Sequence, residues 1–297
     1  MNSRTTMLAH GAMLLFSALV AGSFSLGHLI ANDISPAALT AMRFPLALLV
    51  IGVWVWKSGL LRRKDFEAPW RYLVLGGLMG AYFVLMFEGL KTAPAVSTAA
   101  VFTLMPIMSG VFAYFLLGQI ATRRIQIALS VGAVGAVWVI FRADLSAILS
   151  LEIGRGELIY FVGCIAHALY TPLIRKLNRG QSPLVFTFGM MVGASILMLI
   201  YGASDLRATD FGSLRPLVWI TLVYLAVFAS AASFSCIQYS TLHLPSAKVM
   251  AYTYLTPSWV ILWEAALGRP LPPVGIWIGV LVTVGALIML LRNEDSL

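Results

Sequence analysis

The chain has 297 residues, of which 60% are hydrophobic and only 11% charged, with a formal charge of +8. A water-soluble domain of this length is about a quarter charged, so the deficit excludes an ordinary soluble fold. The basic excess does not indicate a nucleic-acid binder, because Lys and Arg sit in short connectors between apolar runs and not on one face of a domain.

About 20 apolar residues cross a bilayer core as a helix. Windows of that kind run over residues 8–31, 36–56, 70–90, 94–118, 125–141, 156–175, 183–203, 216–240, 245–267 and 273–291. They predict an all-α integral membrane protein of ten spans with no separate soluble domain. Arg4 ahead of the first run resembles the start of a signal peptide. The apolar run from Met7 to Ala31 is too long for one, however, and no convincing cleavage site follows, so it is expected as the first span. With the N-terminus inside, thirteen Lys and Arg residues fall in inner segments (among them Arg62, Arg63, Lys64, Arg175, Lys176 and Arg292) and six in outer ones. Cytoplasmic loops collect these residues, so both termini are expected in the cytoplasm. Cys164 and Cys236 lie inside apolar runs and read as packing residues, with no disulfide framework or metal site.

The two halves of the chain repeat. Pro94 and Pro106 open and interrupt span 4 as Pro245 and Pro257 do span 9, at a common offset of 151 residues. Leu117-Gly118 matches Leu267-Gly268, Gly135 matches Gly285, and Ser35-Pro36 resembles Ser182-Pro183. Residues 1–145 and 152–297 therefore form two five-span repeats, and an odd number of crossings inverts the second against the first. Inverted repeats support alternating access around a site near the midplane. Pro106 and Pro257 each free a carbonyl at mid-membrane depth, which is tolerated only against protein or a water-filled cavity. They act as gating kinks or contact the solute; either way spans 4 and 9 belong near the centre.

Ionisable groups inside spans are costly and face the bundle interior. Arg43 is read as a structural bond to a carboxylate or to nearby carbonyls, one of them freed by Pro45. Glu88 is expected to pair with Lys91, and Glu264 to reach the outer surface. His167 is either a satisfied structural histidine or a cavity residue. The deep tyrosines Tyr82, Tyr170, Tyr239, Tyr252 and Tyr254 are candidates to stack on an aromatic solute and orient it. Ser97, Thr98 and Thr103 give span 4 a polar character that span 9 lacks at the matched positions. The candidate substrate-binding residues are thus Tyr82, Ser97, Thr103, His167, Tyr170, Tyr239, Tyr252 and Tyr254. The pairs Gly76/Gly80, Gly189/Gly193 and Gly275/Gly279 allow close helix contact, more often within a chain than in a dimer.

Ten spans, paired five-span halves, proline-opened fourth and ninth spans and their Leu-Gly-polar endings resemble the EamA-type drug/metabolite transporter superfamily over essentially the whole chain. Among its members the sequence is most similar to bacterial aromatic amino acid exporters. The resemblance implies multi-pass residence in a bacterial inner membrane. It also implies export of amino acids or related metabolites, without a cofactor, through a cavity formed largely by spans 1, 3, 4, 6, 8 and 9. Many members end the fourth or ninth span with Gly-Glu, whereas Gly118-Gln119 and Gly268-Arg269 stand here. Drug or other metabolite export is the alternative within transport. An intramembrane enzyme is disfavoured, because Gly22–His28 lacks the G-x-S-x-G elbow and no paired carboxylate motif occurs in a span. A non-transporting scaffold would normally carry an extramembrane domain.

Overall fold

A computed structural model describes residues 3–150 and 153–291; Arg292, counted above among the inner charges, lies outside them. Ten spans follow in chain order: span 1 Ser3–Ile30, span 2 Pro36–Ser58, span 3 Trp70–Leu90, span 4 Ala95–Leu117 and span 5 Arg123–Ile140 in the first half. Span 6 is Arg155–Leu177, span 7 Pro183–Tyr201, span 8 Pro216–Thr241, span 9 residues 246–266, and span 10 Val274–Leu291. Among the described residues nine of these are long and apolar enough to cross a membrane. The protein is an all-helical membrane protein.

The prolines act where the sequence placed them, but they restart helices more than they bend them. Span 4 consists of Ala95–Phe102 and Met105–Leu117 around a turn at Thr103 and Leu104, with Pro106 in the first turn of the second piece. That is a position where its missing N–H costs nothing. Span 9 runs Ser246–Ala251, tightens into a 3-10 turn over Tyr252–Leu255, and restarts as Thr256–Ala266 with Pro257 in its first turn. The tightening divides span 9 into pieces each too short to cross a membrane alone. Both spans end on a left-handed glycine, Gly118 (φ 65°) and Gly268 (φ 73°), a conformation without a Cβ penalty.

Span 3 packs against spans 6 and 7, span 2 against span 7, span 4 against span 6, and span 1 against spans 8 and 9. The halves are therefore interleaved. Spans 5 and 10, the least buried, pair with each other at the periphery. Glycines make two of these contacts. A methyl group at Gly76 would run into the Ala194 backbone, and one at Gly193 into the Tyr72 carbonyl. Gly135 faces the Gly279 carbonyl, 2.8 Å from where its Cβ would stand. The glycine pairs serve packing inside the chain.

Connectors are tied by ion pairs. Lys91 Nζ lies 2.7 Å from Glu88 Oε2, the local pair expected from the sequence. Arg215 Nε donates to Asp33 Oδ2 (2.8 Å), joining spans 1 and 8 across the halves. The residues standing in place of a Gly-Glu pair are both engaged. Gln119 Oε1 accepts from the Ser246 amide at 3.3 Å, and Arg269 Nη1 lies 3.5 Å from Glu264 Oε2.

Candidate functional site

The centre of the bundle is a closed circuit of five rings from spans 3, 6 and 8. Tyr82 and Phe83 lie 4.7 Å apart by centroid, Phe83 and Phe234 6.0 Å, Phe234 and Tyr170 6.2 Å, Tyr170 and His167 5.9 Å, and His167 and Tyr82 4.6 Å. These spacings fall in the range where offset and edge-to-face ring pairs attract. Phe102 of span 4, the last helical residue before the turn at Thr103, stacks on His167 at 5.5 Å with planes 3° apart. Phe24 of span 1 packs edge-on to Tyr160. All of these side chains are buried.

The circuit carries polar atoms that the protein leaves unsatisfied. Tyr82 and Tyr160 share a hydrogen bond between their hydroxyls (2.8 Å), and Gln238 Nε2 donates to the Tyr170 hydroxyl at 3.2 Å. Neither ring nitrogen of His167 has a partner among the described residues, nor do Gln238 Oε1, Ser233 Oγ, Ser23 Oγ and Ser25 Oγ. Buried polar groups are nearly always hydrogen-bonded, so the open His167 and Gln238 atoms leave the circuit able to bond a polar solute. His167 is buried but not satisfied.

Arg43 borders the same circuit. Its Nε donates to Ser230 Oγ and its Nη2 to the Ala229 carbonyl, each at 2.6 Å, and its guanidinium carbon lies 3.6 Å over the Phe83 ring. The sequence reading sought its partner near Pro45; the structure finds the partners on span 8. There, residues Val227–Ala232 open into a π-helical turn, which redirects carbonyls that a regular helix would keep for itself.

The other candidates lie elsewhere. Thr103 donates to the Ala100 carbonyl at 2.6 Å, in the turn beside Phe102. Ser97 donates to Glu157 Oε1 at 2.8 Å. Glu157 in turn lines a pocket of about 290 Å³ with Phe141, Arg142, Asp144 and Gly154, between the end of span 5 and the start of span 6. The Ser146 hydroxyl, with the Ala147 and Ser146 amides, holds the Asp144 carboxyl below its usual range. Tyr252 bonds His10 Nδ1 through its hydroxyl (2.9 Å), and Tyr239 packs 4.5 Å from His243. Tyr254 inserts against Gly132 of span 5, its carbonyl accepting from Thr283 at 3.2 Å. Three candidates, Tyr82, His167 and Tyr170, thus come together in the circuit and Thr103 adjoins it. Phe83 and Phe234 complete it and Phe102 stacks on it, although a phenylalanine in an apolar run carries no signal of its own.

Spans broken at matched prolines around a mid-bundle polar site are a transporter architecture, and sequence comparison agrees. The EamA-like transporter family matches residues 7–141 and again 154–292. The chain belongs to the EamA-like transporter family. It is therefore a membrane transporter built from two EamA repeats, and not an enzyme. A Bacillus subtilis (strain 168) protein described as the uncharacterized transporter YyaM is 25% identical over 278 residues, 93% of this chain and 91% of its own. An uncharacterized transporter of Archaeoglobus fulgidus is 23% identical over 297 residues, 100% of both chains. One solved crystal structure superposes over 100% of both chains with a TM-score of 0.71 at 20% identity, a likeness of fold.

Proposed function

We propose that this EamA transporter exports small metabolites, amino acids and aromatic ones foremost, across a bacterial inner membrane by alternating access around the ring circuit. The observation that carries this is the circuit itself: stacked rings at mid-bundle with unbonded His167 and Gln238 atoms among them. Ring faces suit an aromatic solute, and a few unsatisfied polar atoms suit its amino and carboxyl groups. Because the rings are packed on one another, a solute enters only when spans 3, 6 and 8 part, which a rocking motion of the repeats allows.

Tyr82, His167 and Tyr170 hold the solute in this reading, with Thr103 beside them. Ser97 stands on one approach and Tyr239, Tyr252 and Tyr254 on others, while the restarts at Pro106 and Pro257 serve as the joints. Both termini lie in the cytoplasm, on the charge bias between connectors. The glycine pairs are engaged within the chain, which favours a monomer.

Purified protein in liposomes is expected to accelerate flux of labelled phenylalanine or tryptophan over empty liposomes. Tyr82→Ala and Tyr170→Ala lower that flux at least tenfold with membrane expression intact, and Tyr252→Ala lowers it less. Flux equal to empty liposomes for both solutes rules out the aromatic amino acid reading.

A further inference from the structure

Arg43 presents a charge that the protein does not balance. It lies seven residues past the start of span 2, about 10 Å along the helix axis, and is fully buried. A cation at such depth pairs with a carboxylate or with backbone carbonyls, and only a carboxylate cancels its charge. Among the described residues Arg43 makes no ion pair, and the three buried carboxylates are engaged elsewhere. Asp65 accepts from the Arg62 amide, Glu157 from Ser97, and Glu264 faces Arg269.

What surrounds Arg43 is neutral and orienting. Ser230 and the Ala229 carbonyl take two of its donors and Phe83 covers a face, so the planar fork is held in one attitude. Its remaining nitrogen, Nη1, has no partner among the described residues. Guanidinium is suited to paired recognition of a carboxylate. On the far side of the circuit, Gln238 bonds Tyr170 through Nε2 and leaves Oε1 open as an acceptor.

The fold does not call for this charge. The Ser-Pro openings of spans 2 and 7 are offset by 147 residues, which sets Arg43 against Met190 in the second repeat. Met190 is equally buried. The same helix position is therefore filled by an apolar side chain where no solute has to be met.

We infer that Arg43 is the anion anchor of the transport site and that its free nitrogen takes a carboxylate oxygen of the solute. The inference rests on the mid-bundle site of the preceding reading and narrows its substrates to small monocarboxylates, α-amino acids included. A monoanion neutralises the single guanidinium; a phosphate dianion would leave a charge over.

The test uses the purified full-length chain. In liposomes showing phenylalanine counterflow, 3-phenylpropionate is expected to compete and phenethylamine to compete at least tenfold more weakly. Phenethylamine matching phenylalanine within twofold overturns the inference while leaving amino acid transport standing. Arg43→Gln raises the half-saturation concentration for phenylalanine at least tenfold and Arg43→Lys recovers part of it; an unchanged value in Arg43→Gln also overturns it. Should Arg43→Gln fail to insert, the competition on the unaltered protein decides. If no amino acid is transported, the thermal midpoint of the protein is read against a panel of monocarboxylates and their matching amines and amides. A midpoint raised by carboxylates alone sustains the anchor although the amino acid reading has failed, and a panel without that distinction rejects it.

Discussion

Spans 2 and 7 hold the same place in the two repeats, and each opens on a serine and a proline. The Ser35 hydroxyl accepts from the Ala37 and Ala38 amides, and that of Ser182 from the Val185 amide. Four residues past each proline, a threonine turns back to the proline carbonyl: Thr40 to Pro36 at 2.7 Å and Thr187 to Pro183 at 2.8 Å. Three residues later the spans part, with Arg43 reaching span 8 and Met190 buried without charge. The same offset carried into spans 1 and 6 sets Val20 against His167, both buried. The duplicated scaffold is thus common to both repeats, while each polar group that a solute would meet stands in one copy alone.

Exchanging the divergent residues should break this comparison most sharply. Met190→Arg buries a cation where the chain holds an apolar side chain, at a cost of about 3 kcal/mol. It is expected to lower the inserted yield severely, read by membrane fractionation. The converse Arg43→Met removes a buried charge that is itself costly, at the loss of two hydrogen bonds to span 8. It should keep yield and thermal midpoint while abolishing carboxylate transport. Loss of folded protein in Arg43→Met would mean that the scaffold needs the charge.

A second divergence is steric. Gly135 and Gly285 match in the repeats, yet only Gly135 is confined. Its Cβ would meet the Gly279 carbonyl and the Thr283 and Val282 side chains, whereas nothing lies within 4 Å of one at Gly285. Gly135→Ala should cost about 1–3 kcal/mol by overpacking the contact of spans 5 and 10, and Gly285→Ala should leave the thermal midpoint of the purified protein unchanged.

The site-specific counterpart is His167→Val, which writes the residue of span 1 into span 6. Because neither His167 nitrogen is bonded among the described residues, removing them loses no hydrogen bond seen there. The lost ring contacts with Tyr82 and Phe102 should lower the thermal midpoint, while the half-saturation concentration for the solute rises about tenfold, the worth of one lost hydrogen bond near 1.4 kcal/mol.

These contrasts mark what a sequence can express. Ten spans were legible because a bilayer demands about 20 apolar residues per crossing, and the duplication was legible because prolines and glycines recur at fixed offsets. The helix breaks followed from Pro106 and Pro257, although a restart and a kink look alike in sequence. Depth along a helix could be read for Tyr82, Tyr170 and Tyr254, but not which neighbour each one faces. Tyr254 turns to Gly132, and Tyr82 to His167. In a soluble helix the polar stripe reveals the facing; here lipid and core are both apolar, and that signal is lost. For the same reason the pairing of Arg43 with span 8, 187 residues away, leaves no local trace.

The smallest effect tests the shared half of the comparison. Thr40 and Thr187 each bond the carbonyl that a proline opening leaves in the first turn, at distances differing by 0.1 Å. Valine keeps the β-branched shape and removes only the hydroxyl, so each substitution isolates one hydrogen bond worth about 0.6 kcal/mol within a membrane. Thr40→Val and Thr187→Val should lower the thermal midpoint slightly and equally, and the double variant should lower it by the sum, since sites without shared partners add. Transport should follow stability in both. A much larger loss of transport in Thr40→Val, at equal stability, would mean that the start of span 2 already belongs to the solute path, and the asymmetry would then begin one turn before Arg43.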